Sequence, residues 1–308
     1  MMRTVLLALS TRPAIGQWME RVPATRGLVR RFVAGTTADD ALAVLERLHA
    51  RGLLGAVTYL GENVATPQDA ERATQTYLHL LDEIKRRNIN ALPSLKLTHL
   101  GLDLGEHVCA ANLTAVLDRA RASGIRVWID MESSAYTDRT LALYARFRPL
   151  HPHVACVVQA YLRRTPADVE RLIDVGATIR LCKGAYREPP AIAYPSKGEV
   201  DQAYARLIDR LLAPDALARG VYTGFATHDD RMHAHVRERV RERRITAGRF
   251  EIQMLYGIRP ELHTRLVAGG LPVRVLVPFG EDWYGYFMRR LAERPTNVLF
   301  FLKNLARR

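Results

Sequence analysis

The feature that most constrains this chain is a rhythm. Eight short apolar runs, each stopped by polar residues, Gly or Pro, alternate with segments of helical period. The runs are Leu53–Gly61, Leu92–Leu100, Ile125–Ser133, Val154–Leu162, Thr178–Gly184, Thr223–Asp229, Glu251–Gly257 and Val273–Gly280. Thr66-Pro67 and Thr165-Pro166 supply the N-cap and first position of intervening helices, and Gly124 and Gly176 stand at helix ends. Strands that alternate with helices pair in parallel, because a parallel neighbour is reached only by a crossover. Eight repeats predict a closed (β/α)8 TIM-like barrel. A doubly wound open sheet is the competing architecture. It needs a Gly-rich first turn, and neither GxGxxG nor a Walker A sequence follows any run.

Residues 1–52 precede the rhythm and read as helical. Asp39 and Asp40 open a helix with Leu42, Leu45 and Leu48 on one face, and Gly52 ends it. The expected organisation is an N-terminal helical segment, 1–52, packed on a barrel formed by 53–308. A chain of 308 residues suits one such barrel.

The formal charge is +13. Such a balance serves nucleic acid, an anionic membrane surface or acidic ligands. Here the charges are spread along helices, as in Arg237–Arg244, and aromatics are only 7%. No nucleic-acid motif accompanies them, so a basic nucleic-acid-binding protein is the weaker reading and no nucleic-acid partner is expected. Cys109, Cys156 and Cys182 are widely spaced with no CxxC, which suggests neither zinc nor disulfides and fits a reducing cytoplasm. His233 and His235 are two apart on a helix and point away from each other, so no metal site is expected. The first residues are too briefly apolar for a signal peptide, and no stretch reaches spanning length.

The polar residues that need explaining cluster at strand C-terminal ends. They are Lys96, Asp130, Glu132, Gln159, Arg180, Lys183, Thr227, His228, Glu251 and Gln253, joined by Arg289 and Arg290 after the last strand. In a (β/α)8 barrel these ends form the active-site rim. Buried charges need partners, and an anionic or zwitterionic ligand would supply them to so cationic a rim. Arg289 and Arg290 share a helix with Trp283 and Tyr286, which suggests a carboxylate clamp, with Glu293 one turn on to hold either guanidinium. Tyr286 is placed to pack on the stem of Arg289. Within Arg180–Glu188, Gly184 admits close backbone approach and Lys183 adds charge.

The segments Ser94–Asp103, Val127–Ser134, Val157–Thr165, Ile179–Pro189, Ala226–Asp229 and the Arg-Arg-x-x-Glu helix occur in the order found in the proline dehydrogenases, which the chain resembles from about its first strand to its end. The resemblance implies a distorted barrel that binds FAD noncovalently, with the last helix over the mouth. It implies oxidation of L-proline to Δ1-pyrroline-5-carboxylate by hydride transfer to flavin N5, with a quinone as acceptor. Carried over by position, Lys96, Arg289 and Arg290 bind the proline carboxylate, Asp130 sits near the reacting centre and Arg180 lies near N5. Met131, Gln159, Lys183, Gly184, Ala185, Thr227 and His228 contact FAD. Glu62 pairs with Arg290 as a gate. Leu276 stands where the family commonly has Tyr, which bears on substrate discrimination and leaves a hydroxyproline-oxidising member as the alternative. The segment Arg294–Arg308, apolar and basic, reads first as a helix packed on the barrel and second as a peripheral contact with the inner face of the membrane.

Overall fold

The computed structural model describes residues 27 and 29–293. The helices expected before residue 27, the segment 294–308 and the side chain of Glu293 lie outside the described residues. The strands are β1 (Leu54–Tyr59), β2 (Ala91–Leu95), β3 (Val127–Ile129), β4 (Val154–Gln159), β5 (Thr178–Cys182), β6 (Tyr222–Ala226), β7 (Phe250–Leu255) and β8 (Val273–Phe279). They pair in chain order, and β8 returns to β1 to close a barrel. All pairings are parallel, as the helical crossovers require. The closed ring removes the open-sheet alternative.

The seams are unequal. β1 and β8 are in register over six pairs, from Leu54↔Arg274 to Tyr59↔Phe279. β2 and β3 share two, Ser94↔Trp128 and Leu95↔Ile129. Most strands are shorter than the apolar runs that contain them. β3 stops at Ile129 because the polar residues after it turn to partners on neighbouring loops. Glu132 accepts from the backbone N–H and hydroxyl of Thr98, at 3.2 and 2.6 Å.

The helices are α1 (Ala38–His49), α2 (Pro67–Arg86), α3 (Glu106–Ser123), α4 (Ser134–Phe147), α5 (Thr165–Asp174), α6 (Lys197–Leu211), α7 (Pro214–Ala218), α8 (Asp230–Glu242), α9 (Pro260–Ala268) and α10 (Trp283–Glu293). Thr37 and Asp40 form a reciprocal capping box at the start of α1. At α2 the Thr66 side chain accepts from the Asp69 N–H, ahead of Pro67. α1 buries Leu42 and Leu45 against the outside of the barrel. Gly55 makes this possible, since a β-carbon there would stand 2.6 Å from Cδ2 of Leu45.

Period-two alternation sorts each strand into two populations. Leu95, Ile129, Ile179, Ile252, Val275 and Val277 face outward into the main core beneath the helices. Ala56, Leu92, Trp128, Ala155 and Val157 face inward and form a separate apolar plug, with Leu276 packed against it. Each large aliphatic side chain withdrawn from water contributes about 1.5–3 kcal/mol.

The lower lumen, at the strand N-terminal ends, is polar. Arg274 donates to Glu251 through Nε at 2.7 Å and Nη2 at 2.9 Å, and to the Gly55 carbonyl at 2.6 Å. Tyr222 adds a hydrogen bond to Glu251 at 2.8 Å. Glu251 was expected at the rim. It lies on the second residue of β7 and is fully buried inside the lumen, below the rim. Burial would raise its pKa, but the charge of Arg274 and its three donors outweigh that and hold it below the ordinary carboxylate value.

Candidate active site

β8 delivers the chain to α10 through Gly280, whose φ of +126° suits glycine and whose close approach to Tyr59 leaves no room for a side chain. Trp283, Phe287 and Met288 then pack α10 onto Phe32, Val33, Leu60 and Ile258, across the mouth near the end of β1. This docking turns Arg289 towards Glu62, with Nη1 3.9 Å from Oε1. The other carboxylate oxygen of Glu62 lies 3.1 Å from Lys96 Nζ. Burial would raise the pKa of Glu62, but the charges of Lys96 and Arg289 prevail and hold it low. Arg289 therefore meets Glu62, beside the Arg290 expected there. Arg290 places its guanidinium over Tyr286, 5.2 Å from the ring centroid. Tyr286 and Arg290 are four apart and share a helix face.

Deeper in the mouth, Arg180 is held on three sides. Its Nη1 donates to Asp130 Oδ1 at 2.6 Å and to Ser94 Oγ at 2.8 Å. Its Nε donates to Gln253 Oε1 at 2.5 Å. Its plane covers Trp128, 4.7 Å from the ring centroid. Ser94 Oγ also donates to Asp130 at 2.7 Å. Arg180 is only 4% exposed, yet its Nη2 has no hydrogen-bond partner among the described residues. A buried donor left this way costs roughly 1–3 kcal/mol or more, unless a ligand accepts from it.

The residues expected to hold FAD ring this centre. Gln159 is buried and donates to the Glu132 carbonyl at 2.8 Å. Met131 is buried with Trp128 in the lumen plug. Gly184 has φ +122°, and a β-carbon there would collide with the Tyr161 ring. It and Ala185 are exposed at the mouth. Lys183 gives its ammonium to Asp201 at 2.5 Å and Asp229 at 2.8 Å. Two carboxylates thus meet its charge inside the protein and brace the loop after β5. Thr227 Oγ accepts from the Asp229 N–H at 3.2 Å. His228 Nε2 accepts from the Leu255 N–H at 2.9 Å, so in the neutral ring the proton is on Nδ1.

The structure thus brings Glu62, Lys96 and Arg289 into one cluster, and Asp130 and Arg180 into another just below. Two participants escaped the sequence reading. Ser94 entered the sequence reading only as the first residue of a motif segment. Tyr186 lies in the loop after β5, within electrostatic range of Glu62, Glu132, Asp130 and Arg289; burial and the nearby carboxylates push its phenol pKa up. Its signal was a lone aromatic between Gly184 and Glu188. Glu188 anchors that loop, accepting from the Ser134 N–H at 2.7 Å and hydroxyl at 2.6 Å at the start of α4.

A closed parallel barrel with cations gathered at the C-terminal rim, above a buried arginine with an unmatched donor edge, defines an α/β-barrel enzyme for a small anionic or zwitterionic substrate. Residues 41–301 match the sequence profile of the proline dehydrogenases, and the chain belongs to that family of flavoenzymes. Proline dehydrogenase 1 of Bacillus subtilis (strain 168) is 39% identical over 308 residues, covering 100% of both chains. The proline dehydrogenase of Deinococcus radiodurans is 35% identical, across 98% of this chain and 97% of its own. Among solved structures, the proline utilization A protein of Bdellovibrio bacteriovorus superposes with a TM-score of 0.81 at 24% identity. That match covers 87% of this chain, which spans about a third (33%) of the larger protein, and it bears on the fold alone. Among the described residues no helix is long and apolar enough to cross a membrane.

Proposed function

We propose that this protein oxidises L-proline to Δ1-pyrroline-5-carboxylate, with FAD as its resident cofactor and a quinone as final electron acceptor. The observation that carries the reading is the stacking of two sites. The Lys96–Glu62–Arg289 cluster at the rim offers cations to a carboxylate, and Arg180 below it has a buried donor edge that fits an electron-rich group. Gln159, Gly184, Ala185, Thr227 and His228 would hold the cofactor from the ends of β4, β5 and β6, with Met131 beneath and Lys183 fixing the loop.

FAD, when bound, supplies the two-electron acceptor. Lys96, Arg289 and Arg290 fix the substrate carboxylate and so orient the ring carbon beside nitrogen. The oxidation removes a hydride from that carbon and a proton from nitrogen, giving the cyclic imine. The cationic surroundings lower the amine pKa and favour loss of its proton before hydride transfer. Arg180, fixed by Asp130, Ser94 and Gln253, presents a cation that needs no reorganisation as negative charge develops. The plug around Trp128 and Leu276 closes the lumen beneath and keeps bulk water out.

The test is spectroscopic. The purified protein should carry flavin absorbance that bleaches on anaerobic addition of L-proline. A colourless protein, or a flavin that proline leaves oxidised, overturns the reading. Leu276 motivates a second substrate, 4-hydroxyproline, addressed below.

A further inference from the structure

Arg180 Nε needs an acceptor, and Glu251 has an oxygen facing the same gap. Between them lies one amide. Gln253 Oε1 accepts from Arg180 Nε at 2.5 Å, and Gln253 Nε2 donates to Glu251 Oε1 at 2.5 Å. A guanidinium only donates and an ionised carboxylate only accepts, so this amide has one permitted orientation. Pairing across the sheet explains how it fits. Arg180 is registered with Gly224, and Gly224 with Glu251, so the two charged residues flank a glycine in one layer of the lumen. Gln253, two residues above Glu251 on β7, lays its amide over that glycine. A β-carbon on Gly224 would run into Gln253 Nε2. The φ of Gly224 is not in the positive region, so the space, not the backbone, calls for glycine there.

We infer that Gln253 is a positioning residue for the reaction, joining the buried Glu251–Arg274 pair to Arg180 and fixing the rotation of the Arg180 guanidinium, with Gly224 as the notch that admits its amide. The inference rests on the role proposed for Arg180. With Nε held by Gln253 and Nη1 by Asp130 and Ser94, the guanidinium is anchored at two of its three nitrogens, and among the described residues only its Nη2 edge remains without a partner. Without the amide, Arg180 keeps its Nη1 contacts but can swing about them, and its buried Nε loses its acceptor.

The chemistry of the amide supplies a test that packing alone does not pass. In Gln253→Glu, a protonated carboxyl copies the amide, donating to Glu251 and accepting from Arg180. Once ionised, it faces the Glu251 carboxylate at contact distance and the link to Glu251 breaks, while its charge is set directly against the Arg180 cation. Burial and Glu251 favour its protonated form, and Arg180 opposes them. Flavin reduction by saturating proline and the midpoint potential of bound FAD are measured across pH for wild type, Gln253→Leu, Gln253→Glu, Gly224→Ala and Arg180→Lys. Gln253→Leu should reduce about tenfold more slowly or worse at every pH, with a lower midpoint. Gln253→Glu should approach wild type at the acid end and fall below it as pH rises, in rate and midpoint, because the new carboxylate neutralises Arg180 and parts from Glu251. Gly224→Ala should resemble Gln253→Leu, and it carries the test if Gln253→Leu does not fold.

Impaired Arg180→Lys with wild-type behaviour in the Gln253 and Gly224 variants overturns the positioning role while leaving Arg180's in place. A Gln253→Glu variant that tracks Gln253→Leu at all pH values also overturns it, because loss of packing then suffices. If Arg180→Lys itself matches wild type in rate and midpoint, the assignment of Arg180 falls and this inference with it.

Discussion

Glu62 and Lys96 face each other 3.1 Å apart across the mouth, and the same carboxylate reaches Arg289 at 3.9 Å. A protein carboxylate thus sits between the cations that the proposed function assigns to the substrate carboxylate, and on that reading the incoming group joins or displaces it. Arg289→Ala or Arg290→Ala should weaken proline binding by about 2–5 kcal/mol, since each removes a partner of a desolvated charge. Flavin content should hold. Steady-state kinetics with wild-type kcat/KM in both variants would reject the clamp.

Arg180→Ala removes a buried cation and leaves Asp130 with Ser94 but without its countercharge. Flavin reduction at saturating proline should slow, and the midpoint potential of the bound flavin should drop, because the reduced form loses its nearby positive charge. Stopped-flow traces and potentiometry that match wild type would make Arg180 purely structural.

Leu276 packs against the lumen plug with Ala56, Leu92 and Trp128, partly buried below the mouth. Leu is shorter than Tyr and brings no hydroxyl. Leu276→Tyr should raise the preference for proline over 4-hydroxyproline by about 1–3 kcal/mol, through contact with the far side of the ring. The measurement is kcat/KM for both substrates. An unchanged ratio means that Leu276 does not meet the substrate, and a wild type faster on hydroxyproline would change the substrate assignment.

Gly184 combines a positive φ with contact against Tyr161. Gly184→Ala should cost about 1–3 kcal/mol of stability through backbone strain and displace the loop that carries Ala185 and Tyr186. FAD affinity of the apoprotein, titrated by flavin fluorescence, should fall with it. Wild-type affinity and melting temperature together would contradict this.

His99 and His263 are buried, and burial first of all lowers each imidazole pKa to about 4. In the unfolded chain they protonate near pH 6.5. Between these values the unfolded state binds more protons, so stability falls as pH drops from about 6.5 to about 4, by up to about 3 kcal/mol per histidine. The depressed carboxylates Asp229 and Glu251 add their loss at lower pH still. Urea midpoints at neutral and mildly acidic pH check the slope, and His263→Leu should flatten it. A midpoint indifferent to pH in this window would refute the assignment.

The strand–helix rhythm was legible because period two, period 3.6 and Gly/Pro stops are local. The rim was legible in part, since Lys96 and Asp130 directly follow strand ends, whereas Arg180 is the middle residue of β5 and lies deeper. What stayed hidden was pairing across the lumen. Ser94 and Arg180 are 86 residues apart, and Arg180 and Gln253 are 73 apart. Nothing local says that Glu251 belongs to Arg274, or that Lys183 spends its charge on two aspartates. That Arg289 reaches Glu62 follows from the packing of α10, which sets its rotation and depends on Phe32 and Ile258.

The short seam between β2 and β3 has one more consequence. Two backbone pairs join these strands, and above them the wall is laced by Ser94 to Asp130 and Thr98 to Glu132. The laces include the acid that holds Arg180. The proposed substrate chemistry and the mechanical closure of the ring therefore draw on the same side chains, and a substitution at Asp130 should loosen a hoop as well as alter a site. Amide exchange would register this as faster opening at β2 and β3 while the six-pair seam of β1 and β8 keeps its protection.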